Sequence, residues 1–195
     1  MRLALTFVVS TLLPCLWAFG ASAAETFTMT TISITHVKYS PAVGFEDFTA
    51  NFERQCGVHD VSAYQNLLAD PAKTATAEQV IGKQEGPSGF MIFAIYDHGS
   101  LLNIKKAPRK ARQYVVGNPL IAARMTEHDI RAALYAPLRV LVYEDAGSQL
   151  TIEYDLPSTL FGQFHNVQVD EVARELDVKL AKLVQNSSSP QHHKP

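Results

Sequence analysis

An α+β domain, built on a mainly antiparallel sheet with helices packed on one face, is the fold class that this 195-residue sequence predicts. Three features lead there. The segments Leu138–Asp145 (L-R-V-L-V-Y-E-D) and Leu150–Asp155 (L-T-I-E-Y-D) flank the turn-forming Ala146-Gly147-Ser148, the signature of a β-hairpin. The element order is strand, helix, insertion, two strands, helix, hairpin, helix, which lacks the strict strand-helix alternation of a parallel sheet. The last element, Val169 to Gln185, sets Val172, Leu176, Leu180 and Leu183 on one face and Glu171, Arg174, Glu175, Asp177 and Lys182 on the other. Such a helix packs on a sheet or on a partner subunit.

The N-terminus comes first. Arg2 precedes an apolar run from Leu3 to Phe19, and Ala21-Ser22-Ala23 follows, so residues 1–23 read as a secretory signal peptide cleaved after Ala23 or Ala24. The run is short for a transmembrane span. Pro14 spoils a lipoprotein box at Cys15, so the product is expected to be soluble in the periplasm or outside the cell. Cleavage leaves Cys56 alone, so the fold stands on its core without an intramolecular disulfide. Residues 24–185 suit one domain with an insertion around 59–88, and the Ser- and Pro-rich 186–195 is expected to be a disordered tail. A net charge of -2 without a basic stripe argues against a nucleic-acid partner.

Phe27 to Val37 alternates and is rich in Thr and Ile, predicting a strand with one buried face. Gly44 to Gln55 carries Phe45, Phe48 and Phe52 at helical spacing and ends at Cys56, a buried thiol on this reading, with Gly57 as the stop. Residues 59–88 read as an insertion with two short helices, the second capped by Thr74 or Thr76. Gly89 to His98 is nearly all apolar and predicts a central strand. A further strand spans Arg112 to Val116. After Pro119 a helical pattern runs through Tyr135, and a short helix is expected over Ser158 to Phe164.

Between strand and helix lies V-G-N-P, from Val116 to Pro119, and a strand, a glycine turn and a helix start together raise the possibility of an anion site. A phosphate loop needs several glycines and usually a lysine, whereas Pro119 removes a donor here. The sequence favours a structural corner: Gly117 ends the strand at positive φ, Asn118 is extended and caps, and Pro119 is the first helical residue.

Catalytic and cofactor signatures are lacking, so no cofactor is assigned. The polar residues at strand ends form the candidate ligand site: Asp97, His98, Asn118, and on the hairpin Tyr143 and Glu144, beside Arg139 and Tyr154. His98 alone has a pKa suited to proton transfer. If neighbouring strands end together, His98 and Asn118 converge at one rim, with Asp97 holding the imidazole. The simpler reading keeps His98 as a strand end held by Asp97 or a backbone carbonyl. No metal site is assigned, because zinc or copper needs three or four ligands. On the hairpin, Glu144 reads as a surface ion-pair partner.

Tyr96-Asp97-His98, Val116-Gly117-Asn118-Pro119, P-L-R-V-L-V-Y-E-D from Pro137 to Asp145, and Y-D-L-P from Tyr154 to Pro157 together resemble the DUF302 family of bacterial domains of unknown function. The likeness spans roughly Ile32 to Leu183, and Ala136 stands where that family usually has leucine. The resemblance implies a small α+β sheet with an outline like the TATA-binding protein, and an often dimeric state that makes a homodimer one partner to test. It implies no DNA binding. Three functions stay open: a small-ligand-binding or accessory protein, which is favoured; an enzyme using His98 as general acid or base, with Asn118 orienting substrate; and a structural dimer module. A pocket that sets His98 beside a second titratable group would separate them.

Overall fold

The computed structural model describes residues 25–189, so the segment expected to be a signal peptide, both expected cleavage positions, Cys15 and the tail from 190 lie outside the described residues. Residues 25–31 have no regular structure and are exposed. In the unit from Ile32 onward, β1 (His36–Tyr39), β2 (Gly57–Val58), β3 (Met91–Asp97), β4 (Ala111–Gly117), β5 (Leu138–Glu144) and β6 (Leu150–Asp155) form one six-stranded sheet, ordered β1-β6-β5-β4-β3-β2. Every pairing is antiparallel except β2 with β3. The predicted fold class therefore holds.

Strand alternation builds the main core. Leu138, Val140 and Val142 of β5 are buried with Tyr114 and Val116 of β4 and Leu150, Ile152 and Tyr154 of β6. Against them pack α1 (Phe45–Gln55), α5 (Pro119–Thr126), α6 (Pro157–Phe161) and α7 (Val167–Ser187). The helical phenylalanines carry much of this, with the Phe52 and Tyr114 rings 4.8 Å apart. Burying each such ring is worth about 1.5 to 3 kcal/mol. The apolar face of α7 is the one foreseen: Val172, Leu176, Leu180 and Leu183 are all buried.

The structure corrects several expectations. The first strand is only His36–Tyr39, because β6 offers it partners from Asp155 to Ile152 and no further. β3 is not central: β2 pairs only its first two residues, leaving Ile95 and Tyr96 exposed. The helix expected to run through Tyr135 stops at Thr126, and a separate 3-10 turn, Ile130–Leu134, starts where the Asp129 carboxylate accepts from the Arg131 N–H at 3.0 Å. The last helix continues past Gln185 to Ser187, since Asn51 Nδ2 donates to the Ser187 carbonyl at 3.0 Å and the Ser187 hydroxyl to that of Leu183 at 2.7 Å. Residues 186–189 are therefore part of the described fold.

Helices also lie on more than one face. The insertion folds as α2 (Gln65–Leu68) and α3 (Thr74–Gly82), each preceded by a 3-10 turn. Its Tyr64, Ala77 and Ile81 form a second cluster with Met91 and Phe93, on the face of the sheet opposite the main core. Neither Thr74 nor Thr76 caps α3. Thr74 is already its first residue, and its hydroxyl donates back to the Pro71 carbonyl at 3.2 Å. Backbones meet closely where this insertion returns: a Cβ on Gly57 would lie 1.7 Å from the Gln84 carbonyl oxygen.

Candidate functional site

The five residues named from the sequence do not share one rim. In the antiparallel pair β3 and β4, Met91 lies beside Gly117 and Asp97 beside Arg112. Their C-terminal ends therefore point in opposite directions, and about 20 Å of strand separates His98 from Asn118.

Asn118 is a structural corner. Its Oδ1 accepts from the N–H groups of Leu120 at 2.9 Å and Ile121 at 3.4 Å, at the start of α5. Its Nδ2 donates to Glu85 Oε1 at 2.7 Å and to the Gly89 carbonyl at 2.9 Å. The N–H groups that an anion would need are thus satisfied internally. Gly117 departs from expectation, because the positive-φ glycine among the described residues is Gly89, at 74°. Close approach is the reason for glycine at 117: an added Cβ would sit 3.0 Å from Pro137 Cβ and 3.3 Å from Phe93 Cε2.

At this rim the two hydrophobic clusters leave a cavity of about 200 Å³. Phe90, Phe93, Ile121, Met125, Phe161 and Leu176 supply much of its wall, with Asn118, His59 and Tyr64. The insertion positions the last two. Asp60 caps the turn after β2 by accepting from the Ser62 N–H at 2.9 Å, and the His59 N–H donates to the Ile92 carbonyl at 3.0 Å. His59 stacks on Phe93 at 3.8 Å between ring centroids, and its Nε2 lies 2.7 Å from the Tyr64 hydroxyl. Burial lowers the His59 pKa and raises that of Tyr64, so both are neutral near pH 7. The candidate residues read from the sequence include neither His59 nor Tyr64. A spacing of five residues inside an irregular segment carries no periodic signal.

At the far rim, His98, Tyr143 and Glu144 do come together, lining a shallow groove of about 400 Å³ with Lys110, Gln113 and Glu153. Asp97 does not hold His98. As the cap of α4 (His98–Leu101), it accepts from the Ser100 N–H at 2.8 Å and the Ser100 hydroxyl at 2.6 Å, which lowers its pKa. Glu144 pairs with Lys110 at 3.3 Å, the surface ion pair anticipated. The Tyr143 hydroxyl donates to Glu153 at 2.7 Å, which raises the tyrosine pKa and lowers that of the glutamate. Farther across this face, His36 lies between Asp155, 2.8 Å from Nδ1, and Glu153, 3.1 Å from Nε2. Both of its ring nitrogens are engaged, so it offers no free base.

Cys56 is buried beside the Ser88 hydroxyl at 4.0 Å, and burial pushes its pKa up to about 12, the state of an inert thiol. Among the described residues no group of three or more His, Cys, Asp or Glu side chains is arranged to hold a metal ion.

Comparison with known proteins follows the same outline. The chain is similar to the crystal structure of an uncharacterized conserved DUF302 protein from Bacillus stearothermophilus, with 17% identity, a TM-score of 0.55, and coverage of 78% of this chain and 97% of that one. At that identity the likeness concerns the fold. No curated protein matches the chain. The sequence pattern of the family described as domain of unknown function DUF302 matches residues 70–187, from the middle of the insertion to the end of α7. This chain therefore belongs to the DUF302 family.

Proposed function

We propose that this DUF302 domain binds a small, uncharged, largely apolar molecule in the cavity between the insertion and the main core, and that it does so as an exported protein. The carrying observation is the wall composition: aromatic and aliphatic side chains around a single neutral polar pair, His59 and Tyr64. A charged ligand would find no opposite charge there and would lose its hydration without return. Asn118 contributes shape only, since its side chain is already satisfied. A cavity of about 200 Å³ holds a molecule of roughly six to ten non-hydrogen atoms, given that about 150 Å³ accommodates benzene. The neutral pair suits one hydroxyl or carbonyl on that molecule. Support for export is the Arg2 to Ala23 segment.

The test is a thermal-shift series with phenol, toluene and benzoate. Phenol should stabilise most, toluene less and benzoate not at all. Tyr64→Phe should abolish the preference for phenol over toluene. Ala122→Leu, which adds bulk to the cavity wall, should abolish both shifts while leaving the unliganded protein folded. Equal responses from the wild type and Ala122→Leu would refute the site.

A further inference from the structure

Charge is distributed unevenly over the surface. Residues 98–110 (H-G-S-L-L-N-I-K-K-A-P-R-K) hold Lys105, Lys106, Arg109 and Lys110 and no carboxylate, in a chain whose net charge is -2. Lys110 is matched, by Glu144 at 3.3 Å and Glu46 at 3.6 Å. Among the described ion pairs none involves Lys105, Lys106 or Arg109, so this tip carries three uncompensated cations.

Beside them stand large apolar side chains in water: Leu101 is 58% exposed and Ile104 75%. They are three residues apart, across α4 and the following 3-10 turn Leu102–Lys105, a spacing that puts both on one side. The knob is tightly built. Lys106 turns back at φ 54°, the Ala107 N–H donates to the Leu102 carbonyl at 3.3 Å, and the Arg109 backbone lies so close to Gly99 that a Cβ there would be 2.1 Å from the Arg109 oxygen. Arg109 is thereby folded against the start of α4. Tyr96, 53% exposed, adds an aromatic ring 6.4 Å from that of His98.

We propose that this tip docks the domain on an anionic lipid surface, with Leu101 and Ile104 entering the headgroup layer and Lys105, Lys106 and Arg109 meeting lipid phosphates. Apolar insertion beside a basic cluster is how peripheral proteins hold such surfaces, and the aliphatic stems of Lys and Arg let their heads stay at the phosphate level. A nucleic acid would use the cations but would leave Leu101 and Ile104 in water. A second apolar patch serves as an internal comparison: Ile130 and Leu134 are 74% and 75% exposed, yet the neighbouring Arg131 is neutralised by Asp129 at 2.6 Å.

The experiment is flotation with vesicles of phosphatidylglycerol mixed with phosphatidylcholine and with vesicles of phosphatidylcholine alone, at low salt. All chains are used as recovered from the expressing cell, so that the N-terminal segment contributes equally. The readout is the ratio of anionic to neutral partitioning. Each cation is expected to contribute about fivefold, so Lys105→Ala/Lys106→Ala/Arg109→Ala should reduce the ratio roughly a hundredfold. Leu101→Ser/Ile104→Ser should weaken binding to both vesicles, and Ile130→Ser/Leu134→Ser should change neither. The proposal is overturned if wild type shows no anionic preference, or if the Ile130 and Leu134 control loses as much as the tip variants. It is also overturned if binding to a short duplex DNA exceeds vesicle binding and is unaffected by Leu101→Ser/Ile104→Ser.

Discussion

Substitution of Gly117 separates two reasons for a glycine. Backbone conformation is one; the other is space, and the structure favours space. A methyl group at 117 would lie 3.0 Å from Pro137 Cβ and 3.3 Å from Phe93 Cε2, where comfortable carbon contacts are about 3.5 to 4.0 Å. Overpacking of this kind costs about 1 to 3 kcal/mol. The cavity beside Phe93 gives that ring room to retreat, which puts Gly117→Ala near the lower figure and the bulkier Gly117→Val near the upper. For a domain of this size the drop in melting temperature is then roughly 2 to 10 °C. Denaturant and thermal unfolding of the Ala, Asn and Val variants give the ranking. If space is the cause, Asn is worse than Ala; if positive φ were the cause, Asn would be the mildest of the three. Gly117→Ala combined with Phe93→Leu should cost at least about 0.5 kcal/mol less than the sum of the single changes, because the two sites touch. An Asn variant more stable than Ala, or strict additivity with Phe93→Leu, would refute the steric account.

Two further expectations concern titrating groups. The Asp155 and Glu153 carboxylates raise the pKa of His36, so its stabilising contribution is complete below the unfolded value of about 6.5 and is lost as pH rises through the folded value. The urea midpoint should therefore decline above about pH 6.5, and His36→Gln should flatten that decline; an unchanged slope would remove His36 from the account. Burial pushes the Cys56 pKa up to about 12, so Ellman's reagent at about pH 8 should react with Cys56, in a Cys15→Ser background, roughly a thousandfold more slowly in native than in denatured protein, and equal rates would contradict the burial.

The hairpin and α7 were legible because their apolar periods match the burial that follows: Val140, Val142 and Ile152 on one face of the sheet, and Leu176, Leu180 and Leu183 against it. Asn118 as a cap was equally plain, since N-P ahead of a helical pattern leaves few alternatives. Pairing direction was another matter. Whether His98 and Asn118 meet depends on β3 and β4 running antiparallel, and neither strand carries that information locally. The alternation in Phe27 to Ile34 likewise described a strand for which β6 has no pairing length. The cavity was hidden for a related reason: its polar pair lies in the irregular insertion, and its remaining wall comes from α5, α6, α7 and three strands distant in sequence.

On the ligand-binding function proposed above, the insertion bears on how preference can diversify in such a domain. One side of the cavity belongs to the sheet and helices of the main core, and the other to an excursion tied to the sheet by the β2 pairs, the His59 N–H on the Ile92 carbonyl and the small cluster around Met91. His59 and Tyr64 lie outside the main core cluster, so exchanging them is expected to leave that core in place. On that proposal recognition and architecture are largely separable, and a chain with the same frame but a different loop between α1 and β3 could accept a different guest without relearning how to fold.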